Sequence, residues 1–231
     1  MHKTVDIVMS YTDNPGGRYT KLAKALCNSV KRNFPKANMV VDTGYPVDGL
    51  PHNAMAYRWC NLAQQATRPT VFVGCDTLVL RDFSEVFQHD FGLAVTTRDA
   101  AIPLNNGVVF MQPTTEGKGF MAEYADIMTE MMTNTELHRR YDKHGPVDQA
   151  AMEHLWRRHP GRIMALPCSV YNITQDYYHN PLPPDAAVVH IKSELRDCIF
   201  GIDSKRVKRT GITRDHELVQ LWERYHGGPA V

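Results

Sequence analysis

The stretch Thr70-Val71-Phe72-Val73-Gly74-Cys75-Asp76-Thr77-Leu78-Val79-Leu80-Arg81-Asp82-Phe83-Ser84-Glu85-Val86-Phe87 decides the fold. Val71, Phe72 and Val73 form a short apolar run rich in β-branched and aromatic residues. That is the pattern of a strand buried on both faces, and so central in a sheet. The run stops at Gly74, and Asp76 follows at once. A carboxylate just past the carboxyl end of a central strand stands at the rim of an open α/β sheet, where the ligands of such sheets bind. A second apolar piece, Leu78 to Leu80, comes next. Asp82, with Glu85 three residues on, then predicts an N-cap and a short helix.

Upstream, Val5 to Ser10 alternates and predicts a first strand, followed by a turn-rich loop from Tyr11 to Gly17. Leu22, Ala25, Leu26, Ser29, Val30 and Phe34 recur at helical spacing as far as Pro35. Met39 to Val41 predicts a second strand, and Gly44 to Pro51 a loop. Met55, Trp59, Leu62, Ala63 and Ala66 mark a second helix that leads into the central strand. The order β-α-β-α-β implies a parallel, doubly wound sheet.

Downstream, Phe91 to Thr96 predicts a strand, Ala100 to Asn105 is irregular, and Gly107 to Met111 is apolar again. Thr114 to Met132 predicts a helix with Phe120, Tyr124, Ile127 and Met131 on one side, its methionines filling core. A further helix runs from His144 to Arg158. Ile163 to Leu166 and Ala187 to Ile191 predict short strands, with a polar loop from Tyr171 to Pro184 between them. Thr213 to Tyr225 predicts a last helix. The expected fold is α/β, one domain over residues 1–200 with a mostly parallel central sheet flanked by helices. A basic, helical extension follows over 201–231.

The composition suits this. At 231 residues, 43% apolar and 22% charged, the chain can build a sizeable core. A net charge of +1 excludes a global polycation made for nucleic acid or membrane. No apolar stretch approaches the ~20 residues that span a bilayer. The five cysteines (Cys27, Cys60, Cys75, Cys168 and Cys198) include no Cys-x-x-Cys pair, which argues against a zinc cluster or disulfide framework and fits a reducing compartment. The first residues, Met1 to Asp6, hold no signal-peptide core. A cytoplasmic protein is expected.

The central stretch resembles the heart of GT-A glycosyltransferases, in particular the retaining family that includes glycogenin and the bacterial lipopolysaccharide galactosyl- and glucosyltransferases. Their segment runs apolar strand, Asp-x-Asp-Thr, Leu-Val-Leu, a basic residue and a short acidic-hydrophobic helix, and its two aspartates hold a divalent metal on the diphosphate of a nucleotide sugar. Here Asp76 and Thr77 match the second aspartate and the threonine, and Gly74 replaces the first aspartate.

Four further segments recur in the family's order, so the resemblance spans Val5 to Lys192. Tyr11 matches the place where the family grips the base, by stacking, with Asp13 beside it to take a base N–H. Arg58 matches a basic residue that faces the diphosphate. Asn105-Asn106-Gly107 resembles the family's Asn-Ser-Gly-Val segment, in which glycine lets the sugar approach and the amide binds its hydroxyls. Asn and Gly also favour turns. Asp148-Gln149 resembles the Asp-Gln pair near the donor sugar, although an aspartate at a helix start also caps it. His190 matches the histidine that completes the metal shell, and Lys192 a lysine on the diphosphate; the family's following Gly and Lys-Pro-Trp are absent.

The resemblance implies transfer of a sugar from a nucleotide-diphosphate sugar, of UDP type, to an acceptor hydroxyl, with retention of anomeric configuration. The donor would be held by Tyr11, Asp13, Arg58, Asp76, Thr77, Gly107 and Lys192, the sugar by Asn106, Asp148 and Gln149, and a metal by Asp76 and His190. The change at Gly74 leaves two readings. Mn²⁺ or Mg²⁺ remains, held by Asp76, His190, phosphate oxygens and water. Alternatively the metal is lost, and Arg81, Lys192 or Arg196 neutralises the diphosphate. Asp99 or Asp197 could also supply the missing oxygen ligand. A non-catalytic sugar-nucleotide-binding protein and a sugar nucleotidyltransferase are the other function classes the pattern admits. The basic run Lys205-Arg206-Val207-Lys208-Arg209 with Arg214, joined by Arg139-Arg140 and Arg157-Arg158, is a solvated face or a seat for an anionic acceptor. Such an acceptor is a lipid-linked or phosphorylated glycan, or nucleic acid carrying a modified base.

Overall fold

The computed structural model describes residues 4–13, 16–43, 51–141, 146–178, 181–202 and 212–227. The loop after the second predicted strand, His144 and the basic run from Lys205 to Arg209 lie outside them.

A six-stranded sheet forms the centre, in the order β2 (Asn38–Thr43), β1 (Asp6–Tyr11), β3 (Thr70–Val73), β6 (Leu104–Met111), β5 (Leu93–Thr97) and β7 (Met164–Pro167). Pairings are parallel except along β6, which runs antiparallel to both β3 and β5. The sheet is thus mostly parallel, as the strand-helix order predicts. β6 departs because it returns without a helix after β5, and two strands joined by a short connection must pair antiparallel. β3 is enclosed by β1 and β6, and each of its four residues is buried.

Alternation assigns the two faces. Val8 and Phe72 point to one side and pack with Trp59 of α2 (Pro51–Gln65), Met121 and Tyr124 of α3 (Thr115–Thr133) and Leu155 of α5 (Val147–Arg158). Ile7, Met9, Val71 and Val73 point to the other side, against Leu26 and Val30 of α1 (Arg18–Asn33) and Phe83. Each such fully buried side chain stabilises the fold by about 1.5–3 kcal/mol relative to exposure. α3 opens at Thr114, whose hydroxyl accepts from the Gly117 N–H at 3.1 Å, so its start follows ordinary capping.

A small second sheet pairs β4 (Thr77–Val79) antiparallel with β8 (Val188–His190). It sits over a third cluster formed by α1, α7 (Ser193–Ile199) and α8 (Glu217–Gly227). α8 folds back on α1, where Asn28 donates to the Tyr225 carbonyl and Asn33 to the Tyr225 hydroxyl, each at 2.7 Å.

Several boundaries differ from expectation. β6 starts at Leu104, so Asn105 and Asn106 lie within a strand and not in a turn before it. The helix expected at Asp82 is a 3-10 turn over Ser84–Gln88. Asp82 still accepts from the Ser84 N–H at 2.8 Å, but Glu85 pairs with Arg81 at 2.6 Å and makes no capping box. α8 begins at Glu217, four residues beyond the predicted Thr213. Three short helices arise where none was predicted: α4 (Thr135–Arg139), α6 (Cys168–Tyr171) and α7. No helix among the described residues is long and apolar enough to cross a membrane.

Candidate active site

Asp76 follows the carboxyl end of β3 and His190 ends β8. They are 114 positions apart, and the small β4–β8 sheet brings them together by pairing Thr77 with His190. The Ile191 N–H adds a bond of 2.6 Å to the Asp76 carbonyl. The side chains meet with His190 Nε2 at 3.1 Å from Asp76 Oδ1, and Arg196 Nη1 of α7 lies 3.4 Å from Asp76 Oδ2. Burial alone would raise the Asp76 carboxyl. His190, Arg196 and Lys192 outweigh it and hold the carboxyl well below the usual carboxylate range. Lys192 itself is lowered from its ordinary value, by burial first, with Asp76 pulling the other way.

A buried amide network orients the imidazole. Asn172 Nδ2 donates to the Thr96 hydroxyl at 2.8 Å, to Asn105 Oδ1 at 3.1 Å and to the Asn105 carbonyl at 3.3 Å. Its Oδ1 is therefore the end facing His190 Nδ1, 3.1 Å away, so Nδ1 carries a proton; Nε2, aimed at Asp76, donates to it only when the ring is doubly protonated, a form that burial disfavours and Asp76 favours. Gly107 is the other condition for this placement. A Cβ there would lie 2.2 Å from His190 Cε1 and 2.3 Å from Nδ1. Gly107, predicted to admit the sugar, instead admits the imidazole. Tyr178 fixes the backbone beyond: its hydroxyl donates to the His190 carbonyl and accepts from the Lys192 N–H. Ser193 follows at φ +42°, left-handed for a residue with a Cβ, and turns the chain into α7.

Beside this cluster stands a second. Asn106 Nδ2 donates to Asp148 Oδ2 at 2.9 Å, and Asp148, on the first turn of α5, is 4% exposed. Its other oxygen, Oδ1, is buried and accepts no hydrogen bond from the described residues. The Tyr124 hydroxyl donates to the Asp148 carbonyl at 3.0 Å, so the helix start is anchored from α3. Gln149 bridges to β6, accepting from the Asn106 N–H at 3.1 Å and donating to the Leu104 carbonyl at 2.8 Å. Its amide positions Asn106. The two clusters touch through adjacent residues of β6, Asn106 on one and Gly107 on the other.

Other predicted residues are engaged elsewhere. Thr77 is fully buried and donates to the Gly74 carbonyl at 2.8 Å, closing the β3–β4 turn. Asp13 accepts from the Tyr19 N–H at 3.2 Å and from the Thr20 hydroxyl, so it holds the start of α1. Tyr11 ends β1, half-buried, its hydroxyl 3.5 Å from that of Thr20. Arg58 forks onto Asp42 at the end of β2, at 2.6 and 3.0 Å. Arg81 is turned to Glu85 and to the carbonyls of Asp82 and Asp185. The arginines that were to extend the basic run, Arg140, Arg157 and Arg158, pair with Glu136, Glu153 and Glu123.

The implied divalent ion can be tested against these residues. Two donors bound at right angles to one ion at about 2.1 Å lie about 3.0 Å apart, so Asp76 and His190 fit one edge of such a centre. The rest is missing. Position 74 carries no side chain, and no group of three Asp, Glu, His or Cys residues that could hold a metal exists among the described residues. Neither Asp99 nor Asp197 supplies the third donor, and the second oxygen of Asp76 faces a guanidinium. The residues do not fit the three-donor centre implied by the resemblance.

Asn172, Thr96, Tyr178 and Arg196 complete the site and were not among the residues predicted to form it, although Arg196 figured as a reserve cation. Asn172 and Tyr178 fall in a segment whose pattern reads only as a polar loop.

With this geometry in hand, solved structures were compared. The chain matches the glycosyltransferase involved in glycosylation of the major capsid of PBCV-1, at 15% identity and TM-score 0.59, over 90% of this chain and 98% of that one. It also matches galactosyltransferase LgtC in complex with donor and acceptor sugar analogs, at 13% identity and TM-score 0.62, over 98% and 96%. The fold is that of the GT-A glycosyltransferases. The apo form of the glycosyltransferase GlyE of Streptococcus pneumoniae TIGR4 adds a TM-score of 0.66 at 13% identity, over 96% of this chain and 60% of that one. No family model and no curated protein sequence matches. These GT-A likenesses rest on shape alone, since none exceeds 15% identity.

Proposed function

We propose that the chain is a glycosyltransferase that moves a sugar from a nucleotide-diphosphate sugar, of UDP type, to an acceptor hydroxyl, with retention. The observation that carries this reading is the Asp148–Asn106 pair standing beside the Asp76–His190–Arg196 cluster at the carboxyl rim of a GT-A sheet. One cluster suits a sugar and the other a diphosphate. A buried carboxylate oxygen without a partner costs about 1–3 kcal/mol, and a sugar hydroxyl donating to Asp148 Oδ1 removes that cost. Asn106 keeps the carboxylate in place. Tyr11, at the end of β1, offers a ring face to the base.

The leaving diphosphate gains negative charge as the anomeric bond breaks. Arg196 and Lys192 stand where cations can neutralise it, and a guanidinium fork matches phosphate oxygens. Asp76 holds Arg196 on the site side of α7, and His190, oriented by Asn172, supports Asp76. The walls of β6 and α5 fix the sugar so that an acceptor hydroxyl meets the anomeric carbon.

Asp148→Asn tests the reading. Transfer or donor hydrolysis should fall by about 100-fold, the scale for one lost electrostatic contact to a transition state. Affinity for the free nucleoside diphosphate should stay unchanged, because Asp148 serves the sugar end. Wild-type turnover in this variant would overturn the assignment.

A further inference from the structure

We infer that donor capture by this protein needs no divalent ion. The inference rests on the nucleotide-sugar reading and concerns how the diphosphate is held.

Charge decides it. A metal centre of the expected kind places two carboxylates on a dication, so the protein part is negative and the ion inverts it before an anion can bind. Here Gly74 removes one of those carboxylates. The one that remains, Asp76, is in contact with Arg196 at 3.4 Å and within electrostatic reach of Lys192. Lys192 is in turn near Arg98 and Asp148. Around Asp76 the protein thus sets Arg196 and Lys192 against its one carboxylate, with Asp148 also near Lys192 and Arg98 paired to Asp176. A diphosphate meets a positive site without any added ion, and a dication entering it is repelled by Arg196 and Lys192.

Space agrees with charge. Asp76 Oδ1 lies 2.7 Å from where a Cβ at position 74 would be, and His190 Nε2 lies 3.8 Å from it. The carboxylate stands in the room that a side chain at 74 would need. There one oxygen lies 3.1 Å from His190 Nε2 and the other 3.4 Å from Arg196 Nη1. The Arg196 side chain is 36% exposed, so it can contact a phosphate without leaving Asp76. Arg98, whose guanidinium donates to the Ile102 carbonyl and to Asp176, and Glu194 and Asp197 on α7 add no third donor to Asp76.

The test is calorimetric titration of the full chain with UDP, and with GDP, ADP and CMP in parallel, in EDTA and in Mn²⁺. Arg196→Gln, which keeps most of the stem of this part-exposed residue, serves as the variant. The expected result is a Kd in EDTA within about threefold of that in Mn²⁺, and a loss of about tenfold or more in EDTA on Arg196→Gln. A Kd that weakens more than threefold in EDTA overturns the inference and leaves the nucleotide-sugar reading standing. So does an Arg196→Gln variant that stays folded by circular dichroism and binds as wild type. Absence of binding by every nucleotide under both conditions overturns both.

Discussion

Gly107→Ala gives the sharpest check of how the site is built. Gly107 lies within β6 at an ordinary strand φ, so its replacement carries no backbone strain, and the whole effect is steric. The added Cβ would lie 2.2 Å from His190 Cε1, 2.3 Å from Nδ1 and 3.1 Å from Asn105 Oδ1, in a region where His190 is 5% exposed. The imidazole must tilt away. Overpacking of this kind costs about 1–3 kcal/mol. Loss of the His190–Asn172 bond adds about 0.5–1.5 kcal/mol. A total near 2–4 kcal/mol lowers Tm by about 5–15 °C for a chain of this size. Gly119→Ala is the matched control. It sits exposed in α3 with nothing within 4 Å of the new atom, so alanine should stabilise by about 0.5–1 kcal/mol. The decisive measurement is a double-mutant cycle by urea unfolding. In a His190→Ala background the clash is gone, and the cost of Gly107→Ala should shrink, a coupling of about 1–3 kcal/mol. Additive costs, or a Gly107→Ala penalty below about 0.5 kcal/mol, would show that the imidazole is not wedged against β6 and would remove the stated reason for a glycine there.

Two other outcomes follow from single contacts. The Arg58 fork holds Asp42 below the ordinary carboxylate value, so the pair stabilises the fold above that ordinary value and the contribution fades as pH falls through the lower folded pKa. With Arg58 part-exposed, Arg58→Met should cost no more than about 1 kcal/mol at pH 7; the Tm difference from wild type should close in acid and should not widen. Gly74→Asp should create a response to Mn²⁺ that wild type lacks, because a Cβ there lies 2.7 Å from Asp76 Oδ1 and 3.8 Å from His190 Nε2, so the new side chain displaces the Asp76 carboxylate and puts a second one beside it. A thermal shift of a few degrees on adding Mn²⁺ to the variant is the expected readout, and equal responses in the two proteins would mean that position 74 does not control cation binding.

Much of the frame was legible because it rests on local periodicity. The continuous apolar run of Val71 to Val73, the helical spacing from Leu22 to Phe34 and the β-α-β-α-β order lead directly to β3 inside a mostly parallel sheet. Motif order also carried Asp76, His190, Asn106, Asp148 and Gln149 to one rim, where the structure brings them together. Individual roles were less legible. Thr77 and Gly107 sit at the expected positions but close a turn and make room for a ring. Asp13 and Arg58 carry the right chemistry but already hold α1 and Asp42.

The sequence by itself determined which face of each element is apolar, and therefore which segments must stack, since burial of apolar surface is a property of neighbours a few residues apart. It also determined that position 74 lacks a carboxylate. Only the tertiary structure decided what replaces it. The antiparallel pairing of β4 with β8 joins Asp76 to His190 and then, through the turn at Ser193, to Arg196. That pairing is a long-range hydrogen-bond register, and no local pattern near Asp76 records that a guanidinium 120 residues away will face it.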